Sequence, residues 1–456
     1  MGLRVPDGNS LLFLGGEIEI DGNTSQSGLH VIYGQLELLA VNQQGTVGIN
    51  VDRANLALDF PQELELADIS LSNGTFLNTS GEAGGAIRIQ GKNITLSDQS
   101  FVFADTLGNQ DGSGVLIQAE NLILDNASRV TTDVVGSGQA GNLNIEAGQL
   151  SILNGSVISS SVFEQGNAGN INISTELLTL ESSTEAGSTS RIASTVNNSA
   201  MGNSGDININ TNSLFARNGS RIITDTSGIG DGGRVAIQAK EQVELSGNTA
   251  IFSNVNPNAQ GNTGGVEINT VSLSLSDGAI ISSSVFGQGN SGDINIDAEN
   301  SVNITGLGRP SPANVSPPLS IFSIVGSEAM GNGSNISINT GSFSLANFVT
   351  ISSSNSSLEA GNAGNVSITA QDDFLISGSG ISTVRSGFDD NGNLFGVGGN
   401  AGNITIKANN IRTELDSFID SSNRGNGNYG DILLHANSIA LIDPFIRSEI
   451  FGSGQA

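Results

Sequence analysis

The chain has 456 residues, of which 61 are glycine, and its 44 acidic and 16 basic residues give a net charge of −28. Phosphate groups are bound by clustered Lys and Arg, so this charge argues against nucleic acid and anionic membrane surfaces as partners. The absence of cysteine excludes disulfides and thiolate metal sites.

The beginning of the chain carries no recognisable targeting segment. Its one apolar run, Leu11–Leu14, is short and is followed by Gly15-Gly16. A signal peptide needs a basic start and a longer apolar stretch. No run in the sequence approaches the length of a membrane-spanning helix.

From Gly45 onward one motif recurs, with the consensus Gly-Asn/Asp-Ile-x-Ile-x-Ala/Thr. Gly141–Ala147 and Gly169–Thr175 are two copies, and six of the twelve spacings between copies are 28 residues. A fixed period of this length indicates a repeat architecture. The thirteen anchor residues are Gly45, Gly85, Ser113, Gly141, Gly169, Gly205, Gly233, Gly264, Gly292, Ser334, Gly364, Gly402 and Gly430.

Within each repeat the apolar residues alternate. The positions two and four after the anchor hold Ile, Val or Leu, which predicts a strand with one buried face. A second alternating pair such as Leu150/Ile152 follows, then a turn such as Asn154–Ser156, then a third strand such as Val157–Ser161. Three short strands and three corners per repeat predict an all-β fold, a right-handed parallel β-helix in which neighbouring coils bury each other's apolar stripe.

Asn or Asp follows the anchor in eight of the thirteen copies. A cation ladder is one interpretation; a structural ladder of stacked side chains that hydrogen-bond along the axis is favoured. The rows Ser160-Ser161 and Ser283-Ser284 are likewise interpreted as stacked hydroxyls and not as nucleophiles. The predicted ladder residues are Asn142, Asn170, Asp206, Asp293, Asn335, Asn365, Asn403 and Asp431.

Two insertions depart from the 28-residue unit. Gly306–Pro318 holds four of the eight prolines and predicts a stiff loop between the second and third strands of its coil, either a recognition loop or a tolerated insertion. Ser386–Gly399 is rich in side-chain oxygens around a glycine, a chemistry that suits Ca²⁺, although the EF-hand spacing is not met and a solvated polar turn is favoured. The weak calcium candidates are Asp389, Asp390, Asn391 and Asn393.

Enzymatic chemistry on polysaccharides would need two carboxylates, or carboxylates with a basic residue. The only adjacent acidic pairs are Asp372-Asp373 and Asp389-Asp390, and strand neighbours such as the first pair point to opposite faces. His30 and His435, the only two histidines, are predicted to lie at the surface. The sequence therefore predicts a protein that is not an enzyme and uses no cofactor.

The phrase Gly-Asn-Ala-Gly-Asn-Ile-x-Ile, together with the near-identical stretches Ile158–Gly169 and Ile281–Gly292, resembles filamentous-haemagglutinin-like exoproteins of two-partner secretion systems, especially the large cyanobacterial members. Residues Gly2–Ile20 look like the later part of that family's secretion domain. The resemblance implies a secretion-domain remnant at residues 1–44 and a repetitive shaft of about thirteen coils at 45–456.

The same resemblance implies a location and partners. The chain would be secreted or displayed on the surface of a Gram-negative bacterium, after export through an outer-membrane β-barrel transporter of the two-partner type. It would bind glycans or proteins of a host, a neighbouring cell or the matrix.

Two alternatives remain at this point. One is a polysaccharide lyase or hydrolase on the same scaffold, which new reducing ends or unsaturated products would reveal. The other is a non-functional gene fragment, because Gly452–Ala456 repeats Gly136–Ala140, after which the next coil begins at Gly141. We therefore expect the sequence to be part of a longer chain.

Overall fold

The computed structural model describes residues 2–22, 27–52, 55–59, 64–183, 189–308, 318–386 and 398–451. These residues form strands and turns without a helix, and the parallel strands stack into a β-solenoid of about 14 turns that lie about 29 residues apart. The predicted fold class is therefore confirmed. The chain divides into two units, Met1–Ile223 (unit 1) and Thr224–Ala456 (unit 2).

The strands of unit 1 are numbered in chain order. They are β1 (Leu3–Arg4), β2 (Ser10–Gly15), β3 (Ile18–Asp21), β4 (Gly28–His30), β5 (Gln35–Ala40), β6 (Gly48–Asp52), β7 (Asn55–Asp59), β8 (Ile69–Ser72), β9 (Phe76–Asn78), β10 (Ala86–Leu96), β11 (Phe101–Phe103), β12 (Gly114–Leu124), β13 (Arg129–Thr131), β14 (Leu143–Leu153), β15 (Val157–Ser159), β16 (Ile171–Glu181), β17 (Arg191–Ala193), β18 (Ile207–Arg217) and β19 (Arg221–Ile223).

The strands of unit 2 continue the numbering. They are β20 (Val235–Leu245), β21 (Ala250–Phe252), β22 (Val266–Leu275), β23 (Ile280–Ser282), β24 (Ile294–Thr305), β25 (Leu319–Val325), β26 (Ile336–Ala346), β27 (Thr350–Asn355), β28 (Val366–Ala370), β29 (Asp373–Ser377), β30 (Gly380–Ser382), β31 (Ile404–Lys407), β32 (Asn410–Glu414), β33 (Phe418–Asp420), β34 (Ile432–His435), β35 (Ser438–Leu441) and β36 (Phe445–Arg447).

Like residues stack on like residues from coil to coil. In unit 1 the register aligns Ile117 of β12 with Ile145 of β14 and Ile173 of β16, and all three side chains are buried. In unit 2, Ile268 of β22 aligns with Ile296 of β24 in the same way. Burial of one such side chain stabilises the fold by about 1.5–3 kcal/mol, so a register shift in any coil would be costly.

The first two predicted strands of a repeat run together in most coils. β14 is a single strand of 11 residues, and its pairing with β12 skips only Gly148, between Ala147 and Gln149. The small residue at this point lets the chain bend while the flanking backbone keeps its hydrogen bonds along the axis. In later coils, as with β28 and β29, the two strands are separate, as the sequence pattern predicts.

The motif copy predicted at Gly45 is wrong. Its residues belong to an antiparallel hairpin of β6 and β7, and Ile49, which the motif would bury, is 58% exposed. The coil is completed instead by β5, whose Leu36 and Leu38 are buried and which pairs in parallel with β2 and β10. The hairpin is an insertion that lies between β5 and β8, and it accounts for the long spacing to Gly85.

In unit 2, one row of interior residues, stacked from coil to coil at the corner after the third strand, changes from apolar to polar side chains along the chain. The row begins with Val255, Val285 and Val325, which pack with alanines in an apolar cluster. It continues through Asn355 and Arg385, and Arg385 is the largest fully buried side chain in the described residues. An interior row that starts largely apolar and becomes polar therefore encloses a guanidinium group.

Candidate functional site

The candidate site lies on the outer face of the third-strand sheet of unit 1, which we define as β4, β9, β11, β13, β15, β17 and β19. Each of these strands has three residues, and the middle one, such as Val130 or Ile158, points into the core. The two flanking residues therefore face outward. Parallel pairing from β9 to β19 places these flanking residues in two columns.

Charged side chains converge at one place on this face. A groove with a volume of about 240 Å³ opens over β13, β15 and β17. We call it the third-sheet groove. The residues that carry its polar chemistry are Arg129, Thr131, Asp133, Ser159, Ser161 and Arg191.

Asp105 and Asp133 occupy the same position in successive coils, two residues beyond β11 and β13. The Oδ1 atom of Asp105 accepts hydrogen bonds from Thr131 Oγ1 at 2.6 Å and from the backbone N of Asp133 at 2.8 Å. The Oδ1 atom of Asp133 accepts the equivalent bonds from Ser159 Oγ and the backbone N of Ser161, both at 2.7 Å. Successive strands lie about 4.8 Å apart, so the two carboxyl groups are neighbours.

Burial sets the protonation of this acidic pair. It raises the pKa of Asp133 to about 7, with a further contribution from the nearby charge of Asp105, and the hydrogen bonds from Ser159 and Ser161 only partly oppose this. Burial also raises the pKa of Asp105, against the lowering effect of its hydrogen bonds to Thr131 and Asp133. Two carboxyl groups this close do not both ionise readily, so the pair holds a proton near neutral pH.

Two exposed arginines flank the acidic pair. Arg129 and Arg191 are outward residues of one column, and Val157 lies between them. Burial in the groove and the charge of Arg129 lower the pKa of Arg191, whereas Asp133 acts in the opposite direction. Within the described part of the chain, neither guanidinium has a hydrogen bond or ion pair to a carboxylate. The groove thus presents positive charge at its surface and, beside it, a carboxyl group whose pKa of about 7 lets it gain or lose a proton near neutral pH.

This constellation was not found from the sequence. Asp105 and Asp133 are 28 residues apart, which is one repeat period, so they do not form an adjacent acidic pair in the sequence. The adjacent pair Asp372-Asp373 is exposed, and Asp373 Oδ1 accepts a bond from Asn410 Nδ2 at 2.9 Å. Alignment of the repeats, with residues at the same position compared, would have identified the stacked pair from the sequence.

The structure shows how the predicted ladder residues interact. Each Oδ1 accepts the backbone N–H of the equivalent residue one coil later: Asn142 from Asn170 and Asn170 from Asp206, both at 2.9 Å. In unit 2 the same bonds run from Asp293 to Asp431 at 2.8–3.1 Å. The bonds are chiefly from backbone to side chain, and bonds between side chains, as the stacking prediction has them, accompany them at Asn335 and Asn365. The backbone bonds give these corner N–H groups an acceptor where no strand pairing exists.

A second ladder runs two residues before the anchor. In unit 2 it is unbroken over seven coils, with backbone N to Oδ1 distances of 2.7–3.1 Å. In unit 1, Asn167 accepts the N–H of Asn203 at 2.7 Å. The members in unit 2 are Asp231, Asn262, Asn290, Asn332, Asn362, Asn400 and Asn428.

The other predicted features are placed as follows. Ser160 Oγ accepts the N–H of Gly169 at 2.9 Å inside the corner, and Ser283 Oγ donates to the carbonyl of Gly292 at 2.6 Å. The proline-rich insertion lies between β24 and β25, as predicted, but its residues 309–317 are outside the described residues. The calcium candidates Asp389, Asp390, Asn391 and Asn393 also lie outside the described residues.

Comparisons with known proteins add no relatives: no protein-family model, curated protein or solved structure matches the chain. No helix in the described ranges is long and apolar enough to cross a membrane. Over the same ranges, no three His, Cys, Asp or Glu side chains are grouped so that they could hold a metal ion.

Proposed function

We propose that the chain is part of the shaft of a secreted or cell-surface binding protein, of the filamentous-haemagglutinin-like type that two-partner secretion systems export. The observation that carries this proposal is the regularity of the coils. Both units repeat the same interior stripe and the same corner ladders, and this regularity serves an extended scaffold. Function on such scaffolds concentrates in outward columns and inserted loops.

The partners follow from this proposal. Export would need an outer-membrane β-barrel transporter, and the chain would not act on nucleic acid, since its charge is −28. Its binding partners would be glycans or proteins outside the cell. Coil-by-coil folding suits such export, because each coil pairs mainly with its immediate neighbours.

Surface location is tested on intact cells of the source organism. Cells are treated with a protease that does not enter them, and peptides of this chain are measured by mass spectrometry before and after treatment, with a cytoplasmic protein as control. We expect peptides of the chain in the medium or their selective loss from the cells. Peptides found only inside, and protected like the control protein, would refute a secreted or surface function.

One observation favours a second candidate, a hydrolase or lyase acting on polysaccharides. Asp105 and Asp133 form a carboxyl pair that holds a proton near neutral pH, and Arg191 lies in the same groove. A protonated carboxyl group beside a cation is an arrangement that general acid–base catalysis can use. Incubation with acidic glycans tests this: new reducing ends or unsaturated products that disappear in Asp133→Asn would establish an enzyme.

A further inference from the structure

The outer face that carries the third-sheet groove continues into an aromatic surface. Phe76 of β9, and Phe101 and Phe103 of β11, are half-buried outward residues of the same columns. Their ring centroids lie 5.1 Å apart for Phe76–Phe101, 5.1 Å for Phe101–Phe103 and 6.0 Å for Phe76–Phe103. The three rings pack against one another and form an apolar surface directly beside the strand that carries Arg129.

Positive charge is concentrated in the next strands. The whole chain has 16 Lys and Arg residues, and three of them occupy one column over four successive strands of this sheet: Arg129, Arg191 and Arg221. The repulsion among these arginines contributes to the lowered pKa of Arg191. Val157 fills the same column position in β15, so the strand pairing itself does not require an arginine there. A ligand with negative charge would relieve the repulsion.

We propose that this face of unit 1 binds an anionic polysaccharide, with its strand laid across successive coils from Phe76 to Arg191. The proposal rests on the function proposed above, a binding protein outside the cell, and it specifies the chemical class of the ligand. The guanidinium groups would pair with carboxylate or sulfate groups, for which their forked donors are suited. The phenylalanine rings would pack against the C–H faces of sugar rings.

The geometry favours a polymer over a small anion. Arg129 and Arg191 are two strands apart, about 9.6 Å along the axis at the usual spacing of strands, so one small anion does not reach both. A chain with a charge at regular intervals does.

The acidic pair makes the affinity of this face for an anionic polymer depend on pH. Asp133 lies two coils before Arg191 and acts on it through its charge, Asp105 lies one coil before Asp133, and Arg129 and Arg221 stand in the same column as Arg191. Protonation of the acidic pair removes negative charge from beneath the ligand. Binding of an anionic sugar polymer therefore strengthens as the pH falls through 7.

The test uses the full chain and fluorescently labelled oligosaccharides. Binding is measured by fluorescence anisotropy for oligogalacturonate, heparin oligosaccharide, neutral dextran and single-stranded DNA of similar length. We expect binding to at least one anionic glycan and none to dextran. Oligogalacturonate and heparin distinguish carboxylate from sulfate recognition, and either result supports the proposal.

Matched variants separate this site from the effect of net charge. The double variant Arg129→Ala/Arg191→Ala should weaken binding at least roughly tenfold, because it removes two charge-assisted contacts. The control Arg234→Ala/Arg412→Ala removes the same charge from exposed positions of unit 2 and should change binding less than about twofold. Phe101→Ala should weaken glycan binding while the Arg129 column remains intact. Circular dichroism verifies that each variant is folded.

The proposal is overturned if the wild-type chain binds no anionic glycan, if it binds dextran equally well, or if both double variants lose the same affinity. Binding of DNA that is as tight as that of glycans, and equally sensitive to the Arg129→Ala/Arg191→Ala variant, also overturns it in favour of a general polyanion site. These assays use purified protein, so they are independent of the cell-surface experiment. Failure of glycan binding and failure of surface location are therefore distinguishable.

Discussion

Asp133 in unit 1 and Asn254 in unit 2 occupy the same position, two residues beyond a third strand, and make the same contacts. Asp133 Oδ1 accepts bonds from Ser159 Oγ and Ser161 N, and Asn254 Oδ1 accepts bonds from Ser282 Oγ at 2.9 Å and from Ser284 N at 2.8 Å. A neutral amide is therefore sufficient for the architecture. The carboxyl group of Asp133 adds an ionisable proton that these hydrogen bonds do not require.

The interior corner row of unit 2 gives a second comparison, between an apolar residue and a buried cation at the same position of two coils. Val325 is packed among apolar side chains, whereas Arg385, two coils later, is fully buried. Its Nη1 donates to the carbonyls of Asn355 and Ser386, and its Nη2 donates to that of Glu359 at 2.8 Å. In the described residues its Nε atom has no partner. Burial lowers the pKa of Arg385, so the charge is held at a cost in stability.

The largest expected effect comes from truncation of this buried arginine. Arg385→Ala leaves a cavity and deprives buried carbonyls of their donors, so the free energy of unfolding should fall by about 3 kcal/mol or more. Arg385→Asn should lose less than half as much. The neighbouring row members Asn355 and Asn423 show why, since each amide donates to two carbonyls of its corner at 2.8–3.1 Å. Urea unfolding measures both, and equal losses would contradict this account.

Replacement of Asp133 by Asn should have a smaller effect that depends on pH. The carboxyl pKa is about 7 in the folded chain and about 3.9 when unfolded, so between these values the folded state holds more protons. The contribution of Asp133 to stability is therefore greatest below pH 4, falls as the pH rises to 7, and stays low above it. Asp133→Asn should match the stability of the wild type near pH 4 and exceed it at pH 8. The gain should be on the order of 2 kcal/mol, about half of the roughly 4 kcal/mol that the full pKa difference gives, because the side chain of Asp133 is only partly buried.

The reverse substitution provides the control for this pH dependence. Asn254→Asp places a carboxyl group in the same hydrogen-bonding position of unit 2. The free energy of unfolding of this variant should fall relative to the wild type as the pH rises from 4 to 8. Asp133 has an effect of the same sign in the wild-type chain. Urea midpoints at several pH values measure both variants. A wild-type chain and an Asp133→Asn variant with parallel pH profiles would show that Asp133 has no raised pKa.

The sequence predicted the features of the fold that depend on residues at fixed positions within a single repeat. The alternation that buries Ile145 and Ile173 decides the strands, their inward face and their register, because a shift by one residue would expose the whole stripe. The copy predicted at Gly45 has the same alternating pattern as the true copies, so the pattern alone does not distinguish it from them. In the structure Ile49 pairs with Leu58 in a hairpin. The alternation within one strand does not determine which strand it pairs with.

The candidate site was less accessible to sequence analysis because it is assembled across coils. Asp105, Asp133 and Ser159 come from successive repeats, and none belongs to the consensus motif. Burial of the carboxyl group and the proximity of Arg191 depend on stacking, and they emerge only after the coils are aligned. Arg385 was missed for a similar reason, since only alignment with Val325 and Asn355 shows that its position is interior.

The smallest expected effect concerns the exposed ladder that the sequence did predict. Asn365 Oδ1 accepts the N–H of Asn403 at 2.8 Å, and its Nδ2 donates to Asn335 Oδ1 at 2.9 Å. Asn365→Ala removes the acceptor and should lower the free energy of unfolding by about 1 kcal/mol, because water partly replaces it. Asn365→Asp keeps the acceptor, as Asp293 does for Asn335 at 2.9 Å, and should stay within about 0.5 kcal/mol of the wild type.

Urea unfolding compares these two ladder variants at pH 7. Their difference isolates the acceptor oxygen, since the aspartate has lost the amide donor but retains the oxygen that binds the next coil. If Asn365→Asp were as unstable as Asn365→Ala, the side-chain donor would be the important group, and the ladder would depend on amide stacking after all. The expected order instead makes the backbone N–H the group that needs an acceptor in the corner, which explains why both Asn and Asp occur at this position along unit 2.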